Sequence, residues 1–178
     1  ALTVSANDPI DIACSSTFPS ELFDGIDINT GLVVFSTNQQ FLLASDDTVL
    51  NPDTAKLRSI SAFNYNKDIP PISLGTTLAY IDNSGKFSRF NEMANIQREG
   101  EPSIVEQSKV VPTLLKKDLD LITNSRENNM VFLAKAYDTS CEVVGFRYLN
   151  VGDKRQQSAW FKWRLNRPIV YHLSLIHI

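Results

Sequence analysis

The chain has 178 residues, 43% of them hydrophobic, with 17 Lys plus Arg against 20 Asp plus Glu and a formal net charge of −3. That length suits a single domain with one sizeable core. Mild acidity argues against a nucleic-acid binder working through a basic face, whose isoelectric point usually exceeds about 9. No apolar run reaches the roughly 18 residues of a membrane helix.

In chain order the pattern is one of repeated hairpins. An apolar run at 31–36 meets a second at 40–44 around Thr37-Asn38, and such a pair about a tight polar turn reads as a β-hairpin. After a Pro-containing loop at Asn51-Pro52-Asp53, residues 57–63 read as the outer strand of this first unit. A second hairpin follows from 76–81 to 86–90 about the turn Asp82-Asn83-Ser84-Gly85. The third unit reads as four strands, 119–123, 130–134, 142–149 and 157–165, with a turn near Asp138-Thr139-Ser140. Residues 46–56 and 92–110 read as long connections, and 110–119, with Pro112 in a first turn, as the start of a short helix. Lys116 and Lys117 then belong to its solvated face.

Phe35, Tyr80 and Phe132 mark the three units, 45 and 52 positions apart. A hairpin-bearing unit every ~40–50 residues is the period of propeller blades. The expected class is all-β, a β-propeller-like fragment of four-stranded antiparallel blades, with a β-sandwich as the alternative. Trp160 and Trp163 lie three apart on a strand and so point to opposite faces. Trp160 is expected to pack between neighbouring blades and Trp163 to sit at an edge or a subunit contact. A sugar platform is the functional alternative for this pair.

The ends read as cuts. Ala1 has no initiator Met before it, and residues 173–178 match the translation of a transposon-adapter end, CTG TCT CTT ATA CAC ATC. The expected division is therefore 1–172 as a partial propeller region of a longer chain and 173–178 as non-native. Setting His177 aside leaves His172 as the one histidine for a Ser-His-Asp or Cys-His arrangement. HExxH, Walker and GxGxxG patterns are absent, as is paired cysteine spacing. Cys14 and Cys141 lie too far apart in sequence for a disulfide framework and read as half-buried thiols. Asp24, Asp27, Asp46, Asp47, Asp118 and Asp120 can in principle supply an acid and a base across a cleft. Beside Gly and Asn they read first as turn formers. Asp8-Pro9 and the Asn/Asp-rich turns lack the alternate carboxylates of a calcium loop. No catalytic, cofactor or metal site is expected.

The segment 81–87 resembles, faintly, the aspartate-box turn of sialidase-type propellers, without the Ser two before its Asp. A broader resemblance runs in order along most of 1–166. It is carried by residues 2–13, by 31–45 with its VVFSTNQQFLLAS run, and by 52–57. The hairpin with Gly85 and Ser88-Arg89-Phe90 adds to it, as do 146–149 and 156–163. Together these are similar to the tail tubular protein B, or nozzle, family of T7-like short-tailed bacteriophages. That resemblance implies a structural virion protein and no enzyme. It implies a propeller with inserted domains, assembled in the host cytoplasm as a homohexameric ring below the portal and its adaptor. Tail fibres would dock at the adaptor junction. The genome would leave through the channel without specific binding, and this segment would not insert into a membrane. A carbohydrate-binding or glycan-cleaving propeller module is the alternative reading, carried by Trp160, Trp163 and the turn aspartates.

Overall fold

The computed structural model describes residues 8–14, 16, 19–45, 50–152 and 154–173. Among them lie twelve strands arranged as three antiparallel meanders. The first sheet runs β1 (Leu22–Ile28), β2 (Gly31–Ser36), β3 (Gln40–Ser45) and β4 (Ala55–Ser61). The second runs β5 (Ile72–Ser73), β6 (Leu78–Asp82), β7 (Arg89–Ala94) and β8 (Ser103–Glu106). The third runs β9 (Leu121–Ser125), β10 (Met130–Ala134), β11 (Glu142–Val151) and β12 (Lys154–Arg164). The fold is all-β, built from four-stranded antiparallel sheets.

The sheets stack face on face, and side-chain alternation explains how. On β6, Leu78 and Tyr80 point one way, into a core with Val33, Phe35, Leu42 and Ile60 of the first sheet. Ala79 and Ile81 point the other way, into a core with Val131, Leu133, Val144 and Phe146 of the third. All five residues of β6 are buried, and its first four, Leu78 to Ile81, form a continuous apolar run rather than an alternating pattern. The first sheet covers one face of the second, and the third sheet covers the other.

Connectors thread between the layers. After β4 the chain crosses back toward β1, where the Tyr65 hydroxyl donates to Asp24 Oδ2 at 2.6 Å and its ring packs on Phe35 at 4.8 Å. After β8, Leu115 and Leu119 sink into the core between the second and third sheets. This corrects the helix expected over 110–119. A 3-10 turn, Gln107–Val110, precedes Pro112, and single turns follow, Val111 N–H donating to Ser108 O and Leu114 N–H to Val111 O. The chain is drawn out to bury Leu115 and Leu119 on the way to β9.

Three further boundaries differ from expectation. The return strand of the second hairpin begins at Arg89, because Asp82 Oδ1 accepts from Ser84 N–H and holds 83–88 as a turn. β4 begins at Ala55, and β8 lies inside the stretch read as a connection. β1 and β5 were not expected. β1 carries Asp24-Gly25 in its interior, a turn-like pair, and β5 is two residues long after Pro70-Pro71.

Gly145 on β11 is where the third sheet needs glycine. A Cβ there would stand 2.1 Å from Phe161 Cζ, since that ring lies directly over the backbone of its cross-strand partner. Gly145→Ala is expected to cost about 1–3 kcal/mol by overpacking, read as a drop in melting temperature. Combining it with Phe161→Leu should recover part of that loss. Wild-type stability of the single variant would refute the close approach.

Candidate functional site

A buried cluster of polar side chains meets where the second sheet faces the third. Glu92 on β7 is 5% exposed. Its Oε1 accepts from Arg155 Nη2 at 2.7 Å and from Thr77 Oγ1 at 2.7 Å, and its Oε2 accepts from Gln107 Nε2 at 2.8 Å. Arg155, on β12, also donates from Nε to Asn150 Oδ1 at 2.6 Å and lies 4.7 Å over the Tyr148 ring. The guanidinium is thus held by a carboxylate, an amide and an aromatic face at once. β12 supplies Arg155 and β7 supplies Glu92, so the ion pair pins one sheet to the next.

Trp160 belongs to the same junction. Its ring stands 4.6 Å from Phe146 and 5.7 Å, edge-on, from Phe90 of the second sheet. Its Nε1–H donates to Gln107 O at 3.1 Å, so both ends of the indole bridge the two sheets. Phe35 and Tyr80 form the counterpart between the first and second sheets, with ring centroids 5.3 Å apart and both side chains fully buried. Phe132 and Trp163 lie elsewhere, on the outer face of the third sheet, 5.3 Å apart, with Trp163 51% exposed. The five aromatics therefore occupy three places, two junctions and one open face.

The carboxylates singled out in the sequence do not converge. Asp24 accepts from Tyr65, and Asp120 Oδ1 accepts from Ala136 N–H at 2.7 Å. Asp118 lies 3.7 Å from Lys135 at the surface. Asp46 and Asp47 lie outside the described residues. Lys116 donates to Asp138 and, at 2.6 Å, to Ser140 Oγ, rather than standing free on a solvated face. The Lys116 hydrogen bond, with those from Ser140, holds the Asp138 carboxyl well below its usual range. Burial lowers His172. Cys14 and Cys141 are free thiols, each half-buried. Among the described residues no group of three or more His, Cys, Asp or Glu is placed to hold a metal ion. No helix of the described residues is long and apolar enough to cross a membrane.

Burial pushes the Tyr65 phenol above its ordinary value of 10.0, the hydrogen bond to Asp24 adding to it, and burial raises Tyr80 likewise. A folded-state pKa above the unfolded one contributes stability that is complete below pH about 10 and lost as pH rises past it. Melting temperature should therefore fall increasingly above pH about 10, and Tyr65→Phe should flatten that decline while lowering stability at neutral pH. An alkaline decline as steep in the variant as in the wild type would remove Tyr65 as its source.

Glu92, Arg155, Thr77 and Gln107 were missed in the sequence. On β7 Glu92 shares its face with Phe90 and Ala94, and a charge between those two apolar positions was the available signal.

In both junctions the buried polar and aromatic groups are engaged in fastening one meander to the next, which defines a stacked-sheet structural module. The chain belongs to the bacteriophage nozzle protein family, whose model matches residues 1–177. It is also 20% identical over 161 residues to the tail tubular protein gp12 of Escherichia phage T7. That alignment covers 90% of this chain and 20% of that protein, so the chain spans about a fifth of the relative's length.

Proposed function

We propose that this chain is a structural part of a short phage tail, one section of the wall of a ring-shaped nozzle through which the genome is ejected. The observation that carries the reading is the nozzle-family match over residues 1–177. On this reading the three meanders are successive blades of a propeller, and 1–172 is one region of a longer nozzle chain. Support comes from the inner ends of the sheets. Asn124 Nδ2 of β9 and Arg126 Nε donate to Ser73 O of β5 at 2.7 and 3.2 Å, so the first strands of neighbouring meanders touch as they do around a propeller axis. Phe35, Tyr80 and Trp160 are packing residues at blade junctions, and Phe132 and Trp163 are packing residues of the exposed blade face.

The role is structural rather than catalytic, and it needs no cofactor. A conduit for DNA is better without a basic lining, because each phosphate neutralised by Lys or Arg adds salt-dependent affinity. A net charge of −3 with dispersed arginines suits that. Closed rotational symmetry makes a channel from copies of one subunit, and we propose six copies, bound to the portal-adaptor protein and to tail fibres, in the virion tail after assembly in the host cytoplasm.

The full-length chain carrying this segment, purified and imaged by electron microscopy, should form a six-fold ring with a central opening. A monomer at micromolar concentration that binds glycans in an array would sink this reading in favour of a carbohydrate-binding module.

A further inference from the structure

The outer face of the third sheet repeats features of the face by which the second sheet holds the third. On β7, Phe90 packs across the junction, and two residues on, Glu92 makes the intersheet ion pair. On β11, Gly145 lies under the Phe161 ring, and two residues on, Arg147 points out of the same face. The Arg147 side chain is exposed and makes no hydrogen bond or ion pair to the described residues. It borders a cleft of about 440 Å³ with Asn128, Leu149 and Gln157. Phe132, Phe161 and Trp163 form an aromatic cluster on this face, with centroids 5.3–6.2 Å apart.

The course of the chain after β12 says what covers the face. After β4 the connector crosses the face of the first sheet, where Tyr65 packs on Phe35 and reaches Asp24 of β1; after β8 it crosses the second, burying Leu115 and Leu119, and β9 then starts beside β5. Residues 165–172 take the same course across the third sheet. Tyr137 N–H donates to Ile169 O at 2.7 Å with Ile169 buried, and Thr123 Oγ1, on β9, donates to His172 O at 3.2 Å. The chain is thereby delivered to the first strand of the sheet, the place where the connector after β8 begins a new meander.

We infer that the outer face of the third sheet docks a fourth four-stranded sheet of the same polypeptide, and that this sheet places a carboxylate against Arg147. The inference rests on the propeller reading and adds to it a second intersheet ion pair, with the charges exchanged. The relative is about five times as long as its matched part, which leaves ample chain for such a sheet.

Arg147→Lys in the full-length protein, treated with carbodiimide, tests it. The reagent activates a carboxylate, and the lysine amine displaces it to form an amide with net loss of water. The expected product is one amide between position 147 and an Asp or Glu beyond residue 173 of the same chain, found by peptide mass mapping at monomer mass. A cross-link between subunits, one within residues 8–173, or none would overturn the inference. As a second readout, a cysteine introduced by Ala159→Cys, next to Arg147 on the same face, should react with maleimide at least about tenfold more slowly in native monomer than in denaturant. Equal rates would overturn the inference. Protection in monomers that never form a ring would retain the docked sheet and reject the nozzle. Rings with unprotected monomers would do the reverse.

Discussion

Trp160→Ala is expected to lower stability by about 2–3 kcal/mol, below the roughly 3–5 kcal/mol of a fully buried aromatic, because the ring is partly buried against the core. The indole lies across the second and third sheets, against Phe90 and Phe146, and donates to the Gln107 carbonyl. Truncation removes the ring contacts and leaves that carbonyl without its donor. Trp160→Phe separates the two contributions, since it keeps most of the apolar contact and loses the hydrogen bond, for about 1 kcal/mol from the bond alone. Trp163→Ala is the matched comparison on the same strand. Its ring is half exposed on the outer face, so the isolated segment should lose under about 1 kcal/mol. Denaturant midpoints at constant slope provide the measurement. Equal losses for Trp160→Ala and Trp163→Ala would show that the second–third junction is not where Trp160 acts.

The contrast between these two tryptophans shows what was legible in the sequence. Three positions apart on a strand, they had to face opposite ways, and they do. The hairpins of the first and third units were equally plain, because their strands are apolar runs bounded by polar turns. The third unit's four strands were placed within a few residues of β9 to β12. What failed did so for local reasons. β1 hides an Asp-Gly pair in its interior, and a register shift between Leu22 and Asp24 breaks the alternation that Phe23 would otherwise share with Ile26 and Ile28. β8 is only Ser103–Glu106 and draws its regularity from pairing with β7, a long-range effect invisible in a window. The start of a helix over 110–119 was suggested by Pro112, which suits a first turn, yet Leu115 and Leu119 are core residues of a connector. The Glu92–Arg155 pair joins residues 63 apart, and no spacing rule reaches that far.

That pair has the second large expected effect. Arg155→Ala should cost about 3 kcal/mol, at the low end for breaking a buried ion pair, because Arg155 keeps some solvent contact while Glu92 keeps almost none. Most of the loss comes from the partner left behind, as Glu92 would hold a charge between two sheets with only Thr77 and Gln107 to solvate it. The double change Glu92→Leu with Arg155→Met should therefore recover most of the stability, since neither charge is then stranded. The surface pair Asp118–Lys135 is the control, and Lys135→Ala should change stability by under about 0.5 kcal/mol. Added salt should weaken that control pair and leave the Glu92–Arg155 pair nearly unaffected. A double variant as unstable as Arg155→Ala would mean that the pair itself, and not the stranded carboxylate, carries the energy. If the double variant is stable, the use of the pair must lie in choice of partner. An apolar junction tolerates sliding of one meander over another, whereas a carboxylate with three donors accepts the guanidinium in one register only. A stack of similar sheets needs that discrimination, because each face could otherwise settle against the wrong neighbour.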